Sequence, residues 1–102
     1  MAGYTCIWEF EIKPGSEAEF LRHYNNGGSW VALFLQAQGF RETLLLQDRQ
    51  SPLRYLTIDR WDSVEAYGAF RRQFAALYAD LDALCENLTL TENCIGEFGD
   101  SL

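Results

Sequence analysis

Tyr4-Thr5-Cys6-Ile7-Trp8-Glu9-Phe10-Glu11-Ile12-Lys13-Pro14-Gly15-Ser16 sets the architecture. Tyr4, Cys6, Trp8, Phe10 and Ile12 alternate with Thr5, Ile7, Glu9, Glu11 and Lys13, and a period of two is a strand with one face turned to a core. Pro14-Gly15 stops the strand. Ser16 with Glu19 three residues on has the form of a capping box, so a helix is expected to open there, with Phe20, Leu21 and Tyr24 as its apolar side.

Outward from this stretch, Asn25-Asn26-Gly27-Gly28 breaks the helix, and Ser29 can cap a second piece whose Trp30, Leu33, Phe34 and Ala37 recur at three and four, ending at Gly39. Residues 40–47 read as a strand with Phe40, Leu44 and Leu46 inward, residues 48–52 as a hairpin loop, and residues 53–61 as the returning strand. Asp62 with Glu65 forms a second capping-box pattern. A long helix is expected from about residue 63, with the stripe Tyr67, Phe70, Phe74, Leu77, Leu81, Leu84 and Leu88, and Gly68 marks a place for close packing or a bend. Residues 89–98 give a last strand, with Cys94 or Ile95 inward and Gly96 at a bulge or a close approach.

The order β-α-β-β-α-β predicts an α+β, ferredoxin-like domain spanning residues 1–102: an antiparallel sheet with helices on one face. Ile7, Leu45, Leu56, Ile58 and Ile95 are then left for the other face. An apolar sheet face of that size calls for a cover, and a twofold copy laid sheet to sheet supplies one, so a homodimer is expected.

Composition narrows the function. The chain of 102 residues is 48% hydrophobic and 15% aromatic, more rings than a small core needs, so a pocket or an interface is expected to use the excess. A net charge of −7 with scattered basic residues argues against nucleic acid and anionic membranes as partners. No stretch reads as a signal peptide or a membrane span, which points to a cytoplasmic protein with Cys6, Cys85 and Cys94 as reduced core thiols. One histidine and three unclustered thiols cannot build the usual metal or haem sites, so neither metal nor cofactor is expected.

Lys13-Pro14-Gly15-Ser16-Glu17, the run from Tyr55 to Ser63 ending Arg60-Trp61-Asp62-Ser63, Glu65-Ala66-Tyr67, and Ile95-Gly96-Glu97-Phe98 together resemble the antibiotic biosynthesis monooxygenase domain family. The resemblance covers nearly the whole chain. It implies a dimeric α+β barrel with a pocket in each subunit between sheet and helices, and a function drawn from a mixed set: cofactor-free oxygenases of polycyclic phenols, quinol oxygenases and haem-degrading enzymes. Members that oxidise anthrones are similar in having a tryptophan at the end of the third strand and a tyrosine six residues later, places held here by Trp61 and Tyr67. Their asparagine four residues before the tryptophan is Thr57 here, with one hydroxyl in place of an amide's two donors. Haem-degrading members carry an asparagine on the first strand and a histidine on the second helix; Trp8 takes the first place and no histidine follows His23.

Cofactor-free oxygenation needs a site that binds a flat apolar ring, accepts a proton from a phenol or enol, and stabilises the oxyanion that then gives electrons to dioxygen. Trp61 and Tyr67 are the candidate catalytic groups, through indole N–H and phenol O–H, with His23 the nominal base because its ordinary pKa lies near neutrality. Trp61, Tyr67, Thr57, Tyr24, Trp30 and Phe70 are the candidate substrate contacts. Trp61 and Tyr67 are expected to face one cavity between sheet and long helix, and the Asn25–Gly28 break has the composition of a lid. The function expected is a monooxygenase acting on a small phenol- or quinol-like aromatic without metal or haem. The alternative is a ligand-binding or structural homodimer of the same fold without catalysis.

Overall fold

The computed structural model describes residues 3–101. Its elements run β1 (Tyr4–Ile12), α1 (Glu17–Tyr24), α2 (Ser29–Phe34), β2 (Phe40–Gln47), β3 (Arg54–Trp61), α3 (Val64–Gln73), α4 (Ala75–Cys85), a single 3-10 turn (Glu86–Leu88) and β4 (Thr89–Gly99). The strands form one open antiparallel sheet in the order β2-β3-β1-β4, with the helices on one face: the ferredoxin-like arrangement.

The alternation along β1 decides the inner face. Tyr4, Cys6, Phe10 and Ile12 are buried, and their partners across β3 include Trp61, Asp59 and Tyr55. Trp61, Phe20, Phe70 and Ile12 are sealed completely, and each contributes on the order of 1.5–3 kcal/mol through burial. The rings meet mostly edge-on or tilted, as at Phe34–Trp61 (5.5 Å) and Phe34–Phe70 (5.3 Å), the arrangement their quadrupoles favour.

Four expectations from sequence are corrected. In β2, Phe40 pairs with Trp61 but Glu42 with Arg60, so Arg41 is an extra residue and the parity beyond it is inverted. Leu45 therefore packs on the core, while Leu44 and Leu46 turn to the outer face and are 43% and 45% exposed. The long helix breaks at Phe74 (φ −112°, ψ 28°), not at Gly68. Past that break the inward residues are Tyr78, Leu81 and Cys85, and Leu77 and Leu84 are exposed. The cap of α3 is Ser63, whose hydroxyl accepts from the Ala66 amide at 3.0 Å, while Asp62 pairs with Arg41 at 2.8 Å. At α1, Ser16 makes no side-chain cap bond, and Glu19 is drawn to Arg22 and His23.

Close approach explains two glycines. A Cβ at Gly28 would lie 2.7–2.9 Å from the carbonyl oxygens of Arg22, His23 and Asn25, so the break between α1 and α2 is a packed turn. Gly39 has φ +91°, and its Cβ would strike that of Ala66 at 2.7 Å; its carbonyl accepts from the Asp62 amide at 2.7 Å, tying the start of β2 to the end of β3.

Candidate functional site

Between the inner sheet face and the helices lies a cleft walled by Trp8 and Phe10 of β1, Tyr24 of α1, Trp30 and Phe34 of α2, and Tyr78 of α4. Its polar lining is Thr43 of β2, Thr57 and Asp59 of β3, Asp82 of α4 and Glu92 of β4. The cleft holds about 430 Å³ of empty space counting its open mouth, but the centre of a water-sized sphere can move through only about 40 Å³ of it. A polycyclic ring therefore enters only with movement of the helices or rim.

Each group is placed by the pleat. Thr57 and Asp59 lie two and four residues before Trp61 and share its face of β3. Thr57 is opposite Trp8, and Asp59 is opposite Cys6 on one side and Thr43 on the other. Burial lifts the Asp59 carboxyl from 3.8 to about 6, and the Thr43 hydroxyl, donating to Oδ1 at 2.8 Å, opposes that rise. Partial desolvation at the cleft rim, then repulsion from Asp82, also raises the otherwise exposed Glu92. Burial first of all holds the phenols of Tyr24 and Tyr78 far above their ordinary range, so both are neutral donors at any ordinary pH. No lysine, arginine or histidine lines the cleft among the described residues.

Of the residues singled out from sequence, Thr57, Tyr24 and Trp30 line this cleft; Trp61, Tyr67, Phe70 and His23 do not. Trp61 and Tyr67 do meet, edge to face with centroids 5.4 Å apart, but Trp61 is sealed and backs the cleft wall through Phe34. The Tyr67 hydroxyl accepts from Arg71 at 3.1 Å, its ring lies 5.3 Å from that of Tyr4, and Phe70 lies behind Phe34. His23 is 4% exposed: its Nδ1 is 2.8 Å from the Ser29 hydroxyl and its Nε2 3.3 Å from Glu19, so it laces α1 to α2 across the packed turn. The indole N–H groups of Trp30 and Trp61 are buried without an acceptor among the described residues, and leaving such a donor unpaired costs about 1–3 kcal/mol.

Asp59 is one of the polar lining groups, with Thr43, Asp82 and Glu92, that sequence reading passed over. Its signal was parity: a carboxylate two residues before Trp61, on the strand face that carries Tyr55, cannot point to solvent unless the strand ends early. Cys94 is exposed, unlike the core thiol expected, with its sulfur 3.9 Å from that of the buried Cys6.

An open four-stranded antiparallel sheet with helices on one face and an aromatic cleft between them defines the class of protein: a small ferredoxin-like α+β domain. Residues 3–79 match the antibiotic biosynthesis monooxygenase family, and the chain belongs to it. Among solved structures it is similar to SnoaB, a cofactor-independent oxygenase from Streptomyces nogalater (20% identity, all of this chain and 96% of that one, TM-score 0.75). It is similar also to PA3566 from Pseudomonas aeruginosa (17% identity, 100% and 97%, TM-score 0.77) and to a conserved protein from Methanosarcina mazei (13% identity, 96% and 92%, TM-score 0.79). Identities this low establish the shared fold. Within the described residues no helix is long and apolar enough to cross a membrane.

Proposed function

We propose that this chain is a cofactor-independent monooxygenase that oxidises a phenol- or quinol-like aromatic in the cleft, working as a homodimer in the cytoplasm. The observation that carries the reading is the cleft itself, six aromatic side chains together with the hydroxyls of Thr43 and Thr57 and the carboxylates of Asp59, Asp82 and Glu92. The rings hold a flat substrate by stacking and exclusion of water. Loss of the substrate's hydroxyl proton leaves an electron-rich anion that reduces dioxygen; one oxygen atom stays in the product and the other leaves as water. The Thr57 hydroxyl and the Tyr24 and Tyr78 phenols are the donors on the lining available to the developing oxyanion. Trp61, Phe70 and Tyr67 act from behind, Trp61 and Phe70 by fixing the Phe34 ring and Tyr67 through Trp61; His23 holds the α1–α2 turn. Neither metal nor haem has a part in this scheme.

The homodimer rests on the outer sheet face. Leu44, Leu46, Ile95 and Phe98 are each 43–51% exposed, and the cross-strand pairs Ile7–Ile58 and Leu44–Ile58 extend the same surface. Sheet-to-sheet dimers of this kind bury on the order of 2,000 Å² or more.

The test is oxygen uptake with anthrones and hydroquinones in an oxygen electrode, corrected for spontaneous oxidation, with tryptophan fluorescence recorded in parallel. Uptake dependent on the protein supports the monooxygenase. Quenching of Trp8 and Trp30 without uptake supports the alternative, a binding protein of the same fold, which Thr57 in place of the family's asparagine favours.

A further inference from the structure

We infer that Asp59 is the group that takes the substrate's hydroxyl proton, and that the substrate is therefore an aromatic whose hydroxyl reaches the β3 side of the cleft.

The inference deepens the monooxygenase reading and rests on it for the identity of the reaction, though not for the proton transfer itself. Asp59 is the one titratable side chain that the central strands β1 and β3 contribute to the cleft lining. One of its oxygens, Oδ1, is held by Thr43; Oδ2 has no protein hydrogen bond among the described residues. A carboxylate on the cleft lining, with one oxygen anchored and the other without a protein partner, can accept from a single further donor. The groups packed around it do not compete. Cys6 of β1, the cross-strand neighbour, is pushed up to about 12 by burial and then by Cys94, so it stays a neutral thiol. Tyr24 of α1 and Tyr78 of α4 stay protonated, and α2 contributes only Trp30 and Phe34. Asp82 of α4 and Glu92 of β4 are the remaining charged groups of the lining, and neither contributes to the shift at Asp59. Burial sets the Asp59 midpoint near the range where a base is ionised at neutral pH and yet basic enough to be useful.

The step balances simply. The O–H bond of the substrate breaks, the proton bonds to Oδ2, and the electron pair stays on the aromatic oxygen; net charge in the cleft does not change. That matters in a lining with three carboxylates, because an external hydroxide or a second anion would be repelled. Dioxygen is the oxidant in the steps that follow.

Two measurements separate this inference from the reaction it serves. In protein labelled with ¹³C at aspartate carboxyls, the Asp59 titration is followed with and without para-nitrophenol, and again with para-nitroanisole, which lacks the hydroxyl. A phenol donating to Oδ2 favours the ionised form, so the midpoint falls with nitrophenol and not with nitroanisole. Second, oxygen uptake with a dihydroxyanthrone is measured across pH for the native protein and Asp59→Asn. The native kcat/KM is expected to fall tenfold per pH unit below a midpoint near that of Asp59, and the variant to lose at least about a hundredfold in kcat together with this acid limb. A midpoint unmoved by nitrophenol, or an Asp59→Asn enzyme that keeps its rate and its acid limb, overturns the assignment. A phenol-dependent NMR shift with no oxygen uptake by the native protein supports the proton-accepting role and removes the monooxygenase reading. Uptake with an Asp59-independent profile does the reverse.

Discussion

Thr43 and Asp59 are direct cross-strand partners, and the threonine hydroxyl donates to Oδ1 of the aspartate at 2.8 Å. That bond is the one protein contact that favours the charged carboxylate against the burial that opposes it. Replacing Thr43 by Val removes it without opening much space. The Asp59 midpoint is then expected to climb further, by about one pH unit, since a hydrogen bond to a charged group is worth about 1.5–3 kcal/mol in favourable cases. Carboxyl ¹³C NMR reads the change directly, and the acid limb of any turnover should move with it.

The same burial has a cost in stability. Asp59 is raised from 3.8 to about 6, so over that window the unfolded chain releases its proton before the folded chain does. A carboxyl shifted in this direction contributes stability that is whole below the lower value and lost as pH rises through the upper one. Asp59→Asn is therefore expected to be more stable than the native chain at pH 7, by roughly 3 kcal/mol at most, with the difference closing as pH falls toward 4. Urea unfolding at the two pH values measures it. A gain in stability coupled to loss of turnover is what a group retained for chemistry produces.

Charge should also sort the ligands. With Asp59, Asp82 and Glu92 on the lining and no cation there among the described residues, a phenol bearing a carboxylate is expected to bind at least about tenfold more weakly than its methyl ester, a difference of about 1.4 kcal/mol. Fluorescence titration at two ionic strengths tests this. Added salt should narrow the gap at the rim carboxylates, which water can screen.

Leu44 lies on the edge strand β2 with its side chain on the outer face and is 43% exposed, so a charged end there costs the isolated fold little. Leu44→Lys is expected to lower the mass seen by light scattering from a dimer to the 11.7 kDa chain while circular dichroism stays unchanged. A native protein that already scatters as a monomer at micromolar concentration would remove the dimer from the proposal.

Most of the fold was legible because alternation in β1 and the break at Pro14-Gly15 are local signals, and local signals survive packing. What misled was parity and phase. Arg41 inserts one residue, and every side chain after it in β2 changes face; nothing in Phe40-Arg41-Glu42 announces this, because the bulge exists only against its partner strand. Phe74 likewise interrupts a stripe whose spacing of three and four continues across it in sequence. The site was half legible. Tyr24, Trp30 and Thr57 line the cleft, whereas Trp61 and Tyr67 keep the neighbouring positions expected of them but are one layer removed from its surface, with Phe34 between Trp61 and the cleft. Asp59 was hidden by its type, since aspartate in a strand reads as an outward residue until the faces are known.

Arg41 has a use beyond its effect on β2. Freed from the ladder, its guanidinium reaches Asp62 at 2.8 Å and Asp100 at 3.4 Å, joining the residue before the α3 cap to the residue that follows β4. Because Phe40–Trp61 and Glu42–Arg60 are both in register around it, a chain lacking this one residue would keep every other pair in the sheet and lose only the clamp. Relatives of different length are thus expected to gain or lose a residue at this joint. An alignment forced through it without a gap would match the solvent-facing Leu44 of one protein to the core leucine of another.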